Sequence, residues 1–180
     1  MEAIQYVNHW RKKKVAKCLS YPRQQNRFRI IGGLCLGKTA IDVGCADGDS
    51  TFYLSNFYPL AKWIGLDFAK TFIDCARNNS SFKNIDWLFS PNYDLFSMLK
   101  KRIDTVVCSE VIEHVKEDRL LVENLWKITD KILIMTTPSI KVNDPGHLRI
   151  YNEDTLKKLF DGIPYSIFSN DIFYYCYMEK

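Results

Sequence analysis

The stretch CSEVIEHV, residues 108–115, sets Glu110, Glu113 and His114 at offsets i, i+3 and i+4. On a helix those offsets share one face. Three kinds of chemistry fit the set. A divalent cation is one, since carboxylate and imidazole ligands together suit Mg, Mn or Zn, and His147 offers a further ligand. General acid–base catalysis is another: His114 or His147 takes a proton from a nucleophile, or positions it, with Glu113 alongside. In the third, Glu110 and Glu113 only complement a helix dipole and His114 is partly buried. These residues alone leave all three open.

His147 stands in DPGHLRIY, where Pro145 and Gly146 suit a mobile loop over a site. Arg149 and Tyr151 beside it fit either an acidic or sugar-like substrate or a bracing role within the loop.

What positions these groups is an alternation of elements. The sequence predicts a basic amphipathic helix over residues 3–19 and a second helix over 24–36, ending near Gly37. Strands follow at TAIDV, AKWIGLD, NIDWLF, IDTVVCS and KILIMTT. Between them, helices are expected over 49–58, 68–79, 94–101 and 117–128. Pro59 stops the first of these. Asn152 is expected to cap EDTLKKLF, and Asn170-Asp171 to turn a hairpin between YSIFS and FYYCYM. Such alternation implies βαβ units, a doubly wound and mainly parallel sheet, and a ligand crevice beyond the strands' carboxyl ends. The 1–37 segment is read as a basic helical addition packed on a 38–180 domain, one domain overall.

The first strand runs into AIDVGCADGDS, where Gly44, Ala46 and Gly48 alternate just before a helix. Small residues admit a ligand close to the backbone, and the helix start offers free N–H groups. Asp67 tips the second strand, about 20 residues on, where a carboxylate accepts from ribose hydroxyls. A dinucleotide would want G-x-G-x-x-G. The spacing here is G-x-A-x-G after Asp42, and that carboxylate suits a ligand with a positive group, an ammonium or a sulfonium.

AIDVGCADG resembles the first motif of the class I S-adenosylmethionine-dependent methyltransferases, with Ala46 in place of its middle glycine. IGLDFAKTFIDCAR resembles their second motif, IDTVVCSEVIEHV their fourth-strand motif and KILIMTTPS their fifth. The resemblance covers residues 38–178 and implies a seven-stranded sheet of order 3-2-1-4-5-7-6, the last strand antiparallel. It implies S-adenosylmethionine as cofactor. The Gly44–Ala46–Gly48 loop then passes the methionine moiety, Asp42 lies near its ammonium, Asp67 binds the ribose and Phe68 flanks the adenine. Asn92 or Asp94 contacts the adenine amino group, and Ser109 and Glu110 lie near the sulfonium. E-x-x-E-H is also similar to small-RNA 2′-O-methyltransferases, in which such residues hold a metal, and to ubiquinone-pathway O-methyltransferases. GHLRIYNEDTL resembles a stretch common in small-molecule and sugar methyltransferases.

The expected acceptor is an oxygen of a small molecule. SEVI stands where many amino-group enzymes of this class carry N-P-P-[YF]. The alternatives are metal-assisted 2′-O-methylation of RNA and, from another class, a cofactor-binding partner subunit without catalysis. Absence of G-x-G-x-x-G argues against a nucleotide-dependent oxidoreductase.

Bulk properties bound these readings. The 180 residues are 47% hydrophobic, enough for a substantial core. No apolar run approaches the roughly 20 residues of a membrane span. The start MEAIQYVNHWRKKK has no apolar h-region, so a cytoplasmic protein is expected. Six cysteines without a C-x-x-C pair read as buried free thiols. The net charge of +4 permits an anionic partner, and Arg11, Lys12, Lys13, Lys14, Lys17, Arg23, Arg27 and Arg29 make the first thirty residues basic, for RNA phosphates or simply for water.

Overall fold

The computed structural model describes residues 21–79, 85–92 and 95–180. The helix expected over 3–19, with its basic face, lies outside them, as does Asp94.

The first described helix, α1, runs from Pro22 to Leu34. Proline suits a helix's first position because the N–H it lacks would go unpaired there. The helix therefore starts and ends two residues earlier than the apolar spacing predicts. Then come β1 (Thr39–Val43), α2 (Asp49–Phe57), β2 (Lys62–Asp67), α3 (Lys70–Asn78), β3 (Ile85–Phe89) and α4 (Leu95–Leu99). The second half holds β4 (Ile103–Ser109), α5 (Asp118–Ile128), β5 (Thr129–Pro138), α6 (Glu153–Leu159), β6 (Ser166–Asn170) and β7 (Phe173–Glu179). The sheet order is β3-β2-β1-β4-β5-β7-β6, with β7 antiparallel to both neighbours. This is the seven-stranded topology that the sequence implies.

Alternation along each strand feeds two apolar layers. On β4, Val106 and Cys108 face α5 and α6, while Val107 faces the opposite side. On β1, Ile41 and Val43 join the first layer and Ala40 the second, with Phe28, Ile31 and Leu54 of α1 and α2. Asp42 therefore points into the α1–α2 side. Asn152 caps α6 as expected, accepting from Thr155 N at 2.9 Å while Thr155 Oγ1 accepts from Asn152 N at 2.8 Å. Asp171, at φ 53°, turns the β6–β7 hairpin.

Below the sheet, Asp104 staples β4 to the entry of β1. Its Oδ2 accepts from Lys38 N at 2.7 Å and Thr39 N at 3.0 Å, and Lys131 is 3.2 Å from its Oδ1. Despite partial desolvation, these donors hold its carboxyl down at about 2.

The described cysteines are free thiols. Cys35, Cys45, Cys108 and Cys176 are buried, but Cys75 is exposed, on the outer face of α3. Among the described residues, no helix is long and apolar enough to cross a membrane.

Candidate functional site

The parallel register brings the carboxyl ends of β1, β2 and β4 to one edge, where the chain leaves β1 and β4 in opposite directions along the sheet. A cleft of about 480 Å³ opens there, within the range of small-ligand and cofactor sites. Of the candidate residues, Asp42, Gly44, Ala46, Asp67, Phe68, Ser109, Glu110, His114 and His147 all line it. Gly48, Asn92 and Glu113 are not among its lining residues.

The turn after β1 owes its glycines as much to the protein as to any ligand. Gly44 has φ 84°, and a Cβ there would lie 2.3 Å from Val111 Cγ2. Gly48 has φ 93° and meets the Trp87 ring at 2.5 Å. Close approach of backbone to side chain, not only to ligand, excludes a Cβ at both. Ala46 adopts φ 47°, and its N–H donates to Asp67 Oδ2 at 2.9 Å. Ala69 N donates to Asp67 Oδ1 at 2.8 Å. A carboxylate has about four acceptor sites, so Asp67 keeps capacity for a ligand hydroxyl. Burial pushes the Asp67 carboxyl up to about 6, against the pull of the Ala69, Ala46 and Phe68 N–H groups.

Asp42 is buried and accepts from Ser50 Oγ at 3.0 Å and Thr51 Oγ1 at 2.7 Å. It thus ties β1 to the start of α2. Burial raises its carboxyl, and the two hydroxyls and the Arg27 guanidinium oppose the rise. Phe68 packs with Phe72, Ala46 and Ala69 at the cleft's edge. Asn92 is exposed just past β3, its carbonyl accepting from Ser90 Oγ.

The SEVIEH segment is not an α-helix. β4 continues to Ser109, Glu110 takes φ 55°, and only Ile112–His114 form a 3-10 turn. The i, i+3, i+4 spacing therefore does not put the two glutamates on one face, and there is no helix dipole for them to complement. Ser109 Oγ bonds Thr136 Oγ1 at 2.7 Å across to β5. Glu110 turns to α1 and ion-pairs with Arg27. Glu113 turns inward, where its Oε2 accepts from Thr137 Oγ1 at 3.2 Å and its Oε1 is buried with no partner among the described residues. Burial, then the charge of Glu110, raise the Glu113 carboxyl to about 8.

His114 and His147 meet edge to face, ring centroids 4.6 Å apart and planes at 81°. Donor atoms of Glu113, His114 and His147 lie within 4.8 Å of one another. The structure thus gathers three of the four candidate ligands and sends Glu110 elsewhere. Burial lowers the His114 pKa, and the neighbouring His147 adds to that, so its imidazole is neutral at pH 7.

The loop carrying His147 is fastened down. Leu148 N donates to Glu113 O at 2.8 Å, and Gly146 N to Asp144 Oδ1 at 2.8 Å. Arg149 ion-pairs with Asp118, whose Oδ2 also accepts from Tyr151 OH at 2.7 Å. Arg149 and Tyr151 therefore brace the loop against α5. Sequence reasoning passed over Arg27: it is one cation among several in a basic stretch, and only the fold reveals its burial in the cleft wall.

Comparison with known proteins fits this arrangement. A family model described as a methyltransferase domain matches residues 41–130, half of the chain. The chain is similar to the mitochondrial ubiquinone biosynthesis O-methyltransferase of Dictyostelium discoideum, 30% identical over 139 residues, covering 71% of this chain and 43% of that one. It is also similar to the (S)-tetrahydroprotoberberine N-methyltransferase of Eschscholzia californica, 26% identical over 106 residues, covering 55% and 29%. The chain thus spans less than half the length of these relatives. A structure of an S-adenosylmethionine-dependent methyltransferase from Aquifex aeolicus shares the fold at TM-score 0.70 and 18% identity, covering 92% and 96%. A sheet of this order, a glycine turn answered by a strand-tip aspartate, and the family match over both lead to one conclusion: the chain belongs to the class I S-adenosylmethionine-dependent methyltransferases.

Proposed function

We propose that the protein transfers a methyl group from S-adenosylmethionine to an oxygen of a small molecule. The observation that carries this reading is the imidazole pair. His114 and His147 share the cleft with the Gly44–Ala46 turn and Asp67.

The cleft suits the cofactor. Asp67 offers spare lone pairs to a ribose diol, Phe68 an apolar face to adenine, and Asp42 a carboxylate to an ammonium. Asn92, beyond the end of β3, is the described candidate for the adenine edge. Bound S-adenosylmethionine supplies an electrophilic methyl carbon on a good leaving group. The protein's own share is alignment and exclusion of water, with Ser109 and Glu110 walling the transfer end. A neutral imidazole near an acceptor hydroxyl takes its proton as the oxygen attacks, and burial keeps His114 neutral for that task. Glu113, protonated at neutral pH, sits beneath the pair as a buried acid. The names of the relatives from Dictyostelium and Eschscholzia, one an O- and the other an N-methyltransferase, support a small-molecule acceptor.

A second reading rests on the Glu113–His114–His147 cluster and on Glu113 Oε1, which has no partner among the described residues. A carboxylate and two imidazoles fit Zn or Mn, and a cation there would act as a Lewis acid on the acceptor hydroxyl.

Labelled methyl transfer to pooled metabolites and to total RNA, with and without EDTA, tests both. Label should appear in the metabolite fraction, indifferent to chelation. Loss in EDTA restored by Mn or Mg favours the metal reading. Label in RNA overturns the small-molecule acceptor. No transfer to either pool, with cofactor still bound, leaves a non-catalytic module.

A further inference from the structure

Arg149 and Tyr151 fit, by sequence, either an acidic or sugar-like acceptor or a bracing role. In the fold both engage Asp118, and neither is among the residues that line the cleft. The same loop turns apolar groups to the cleft instead. Val142 and Leu148 line it, although they are 38% and 48% exposed. The backbone holds them in place: Asp144 N donates to Val142 O at 2.9 Å, and Leu148 N to Glu113 O at 2.8 Å. An apolar ligand that covers such side chains removes apolar surface from water, which favours its binding. Ile140 and Ile150 are also exposed on this loop but are not among the cleft's lining residues.

Other elements supply more apolar wall. Val115, just past the turn that carries His114, is buried and lines the cleft. Ile172 and Phe173 line it from the start of β7, where Ile172 O accepts from Ser139 N of the loop at 2.7 Å. The nearby charged groups give a polyhydroxylated ligand little to bind. Asp144 Oδ1 accepts from Gly146 N within the loop, and Lys116 is exposed, where water screens it. His114 and His147 remain to orient a hydroxyl. Apolar walls with a few convergent polar groups suit an apolar ligand with one polar handle. A sugar would leave hydroxyls unpaired against valine and leucine, at a cost. An imidazole is a modest base, best matched to a hydroxyl that ionises readily, as a phenol does near the value of about 10 ordinary for tyrosine.

We propose that Val142 and Leu148 form the acceptor subsite and select an aromatic hydroxyl compound, its ring against these two side chains and its hydroxyl at the imidazole pair. The inference rests on the methyl-transfer reading above and narrows its substrate class. In the transfer the aryl oxygen bonds to the methyl carbon, and the carbon–sulfur bond breaks with its electron pair going to sulfur. The hydroxyl proton passes to an imidazole.

Calorimetric titration of the full chain, saturated with S-adenosylhomocysteine, with 2-naphthol and with methyl glucoside tests it. The wild type should bind 2-naphthol roughly 10-fold or more tightly than the glucoside. Val142→Ser and Leu148→Ser should each weaken 2-naphthol by roughly 3- to 30-fold, with affinity for S-adenosylhomocysteine unchanged, which shows the cleft intact. Leu148→Met, which keeps the volume and the apolar character, should bind 2-naphthol within about threefold of wild type. Ile140→Ser, on the same loop but outside the cleft lining, should bind it as wild type does. Absence of 2-naphthol binding, a glucoside bound as tightly, or full 2-naphthol affinity in both serine variants overturns the proposal. So does an Ile140→Ser variant weakened as much as Leu148→Ser, which would make the loop a general apolar surface. Labelled methyl transfer to 2-naphthol separates this inference from the reading beneath it. Binding with the expected variant pattern but no transfer supports the apolar subsite and overturns methyl transfer to oxygen.

Discussion

Asp67, the proposed ribose ligand, is also built into the fold. It ties down the Ala46 turn and the start of the β2–α3 loop, and it is buried with its carboxyl raised to about 6. The raised value fixes a sign. Between the ordinary 3.8 and about 6 the folded protein holds a proton on Asp67 that the unfolded chain does not. That contribution to stability is full at low pH and is lost as pH rises through about 6. Ligand binding runs the other way, because only the ionised carboxylate accepts from both sugar hydroxyls, and protonation takes up one of its acceptor sites. Affinity for S-adenosylhomocysteine should fall up to about tenfold per unit as pH drops below 6, which titration at pH 5, 6 and 7.5 measures. At this scale the sequence placed Asp67 well, since strand and glycine turn frame it in register. Arg27 was not legible. Its place in the cleft wall comes from Glu110 and Phe173, contacts across dozens of residues that no local pattern encodes.

Elements were legible where one period dominates. The buried runs of β1, β4 and β5 and the apolar face of α3, with Phe72, Ile73 and Ala76, lie where the pattern puts them. SEVIEH carries a helical spacing without forming an α-helix. Tertiary contacts decide instead: Glu110 leaves the strand for Arg27, and Glu113 goes under the sheet edge to Thr137. Two substitutions test how the elements are joined. Gly44→Ala forces a side chain into φ 84° and against Val111. It should destabilise by about 1–3 kcal/mol in urea unfolding. Asp104→Ala removes the staple between β4 and β1 and should cost about 1–3 kcal/mol at neutral pH. Because the Asp104 carboxyl is depressed, its contribution is present above 3.8 and disappears as pH falls through about 2. The wild type and Asp104→Ala should therefore converge in stability in strong acid.

The whole molecule places two apolar layers on one sheet and leaves the carboxyl edge open between α1 and the His147 loop. A ligand held there touches α1, β1, β2 and the β4 turn at once, so binding should tighten all of them. A hundredfold excess of S-adenosylhomocysteine over its Kd should add about 2.7 kcal/mol and raise Tm by about 5–10 °C. NAD, which lacks a G-x-G-x-x-G here, should leave Tm unchanged. The central claim is that an adenosyl cofactor lies over the turn after β1, with its sugar on Asp67. Titrating wild type and Asp67→Asn with S-adenosylhomocysteine and its 2′,3′-dideoxy analogue tests it most directly. Wild type should favour the intact sugar by roughly 10- to 100-fold, and Asp67→Asn should lose most of that preference. A wild type indifferent to the missing hydroxyls, or a variant that discriminates as well as wild type, would contradict it.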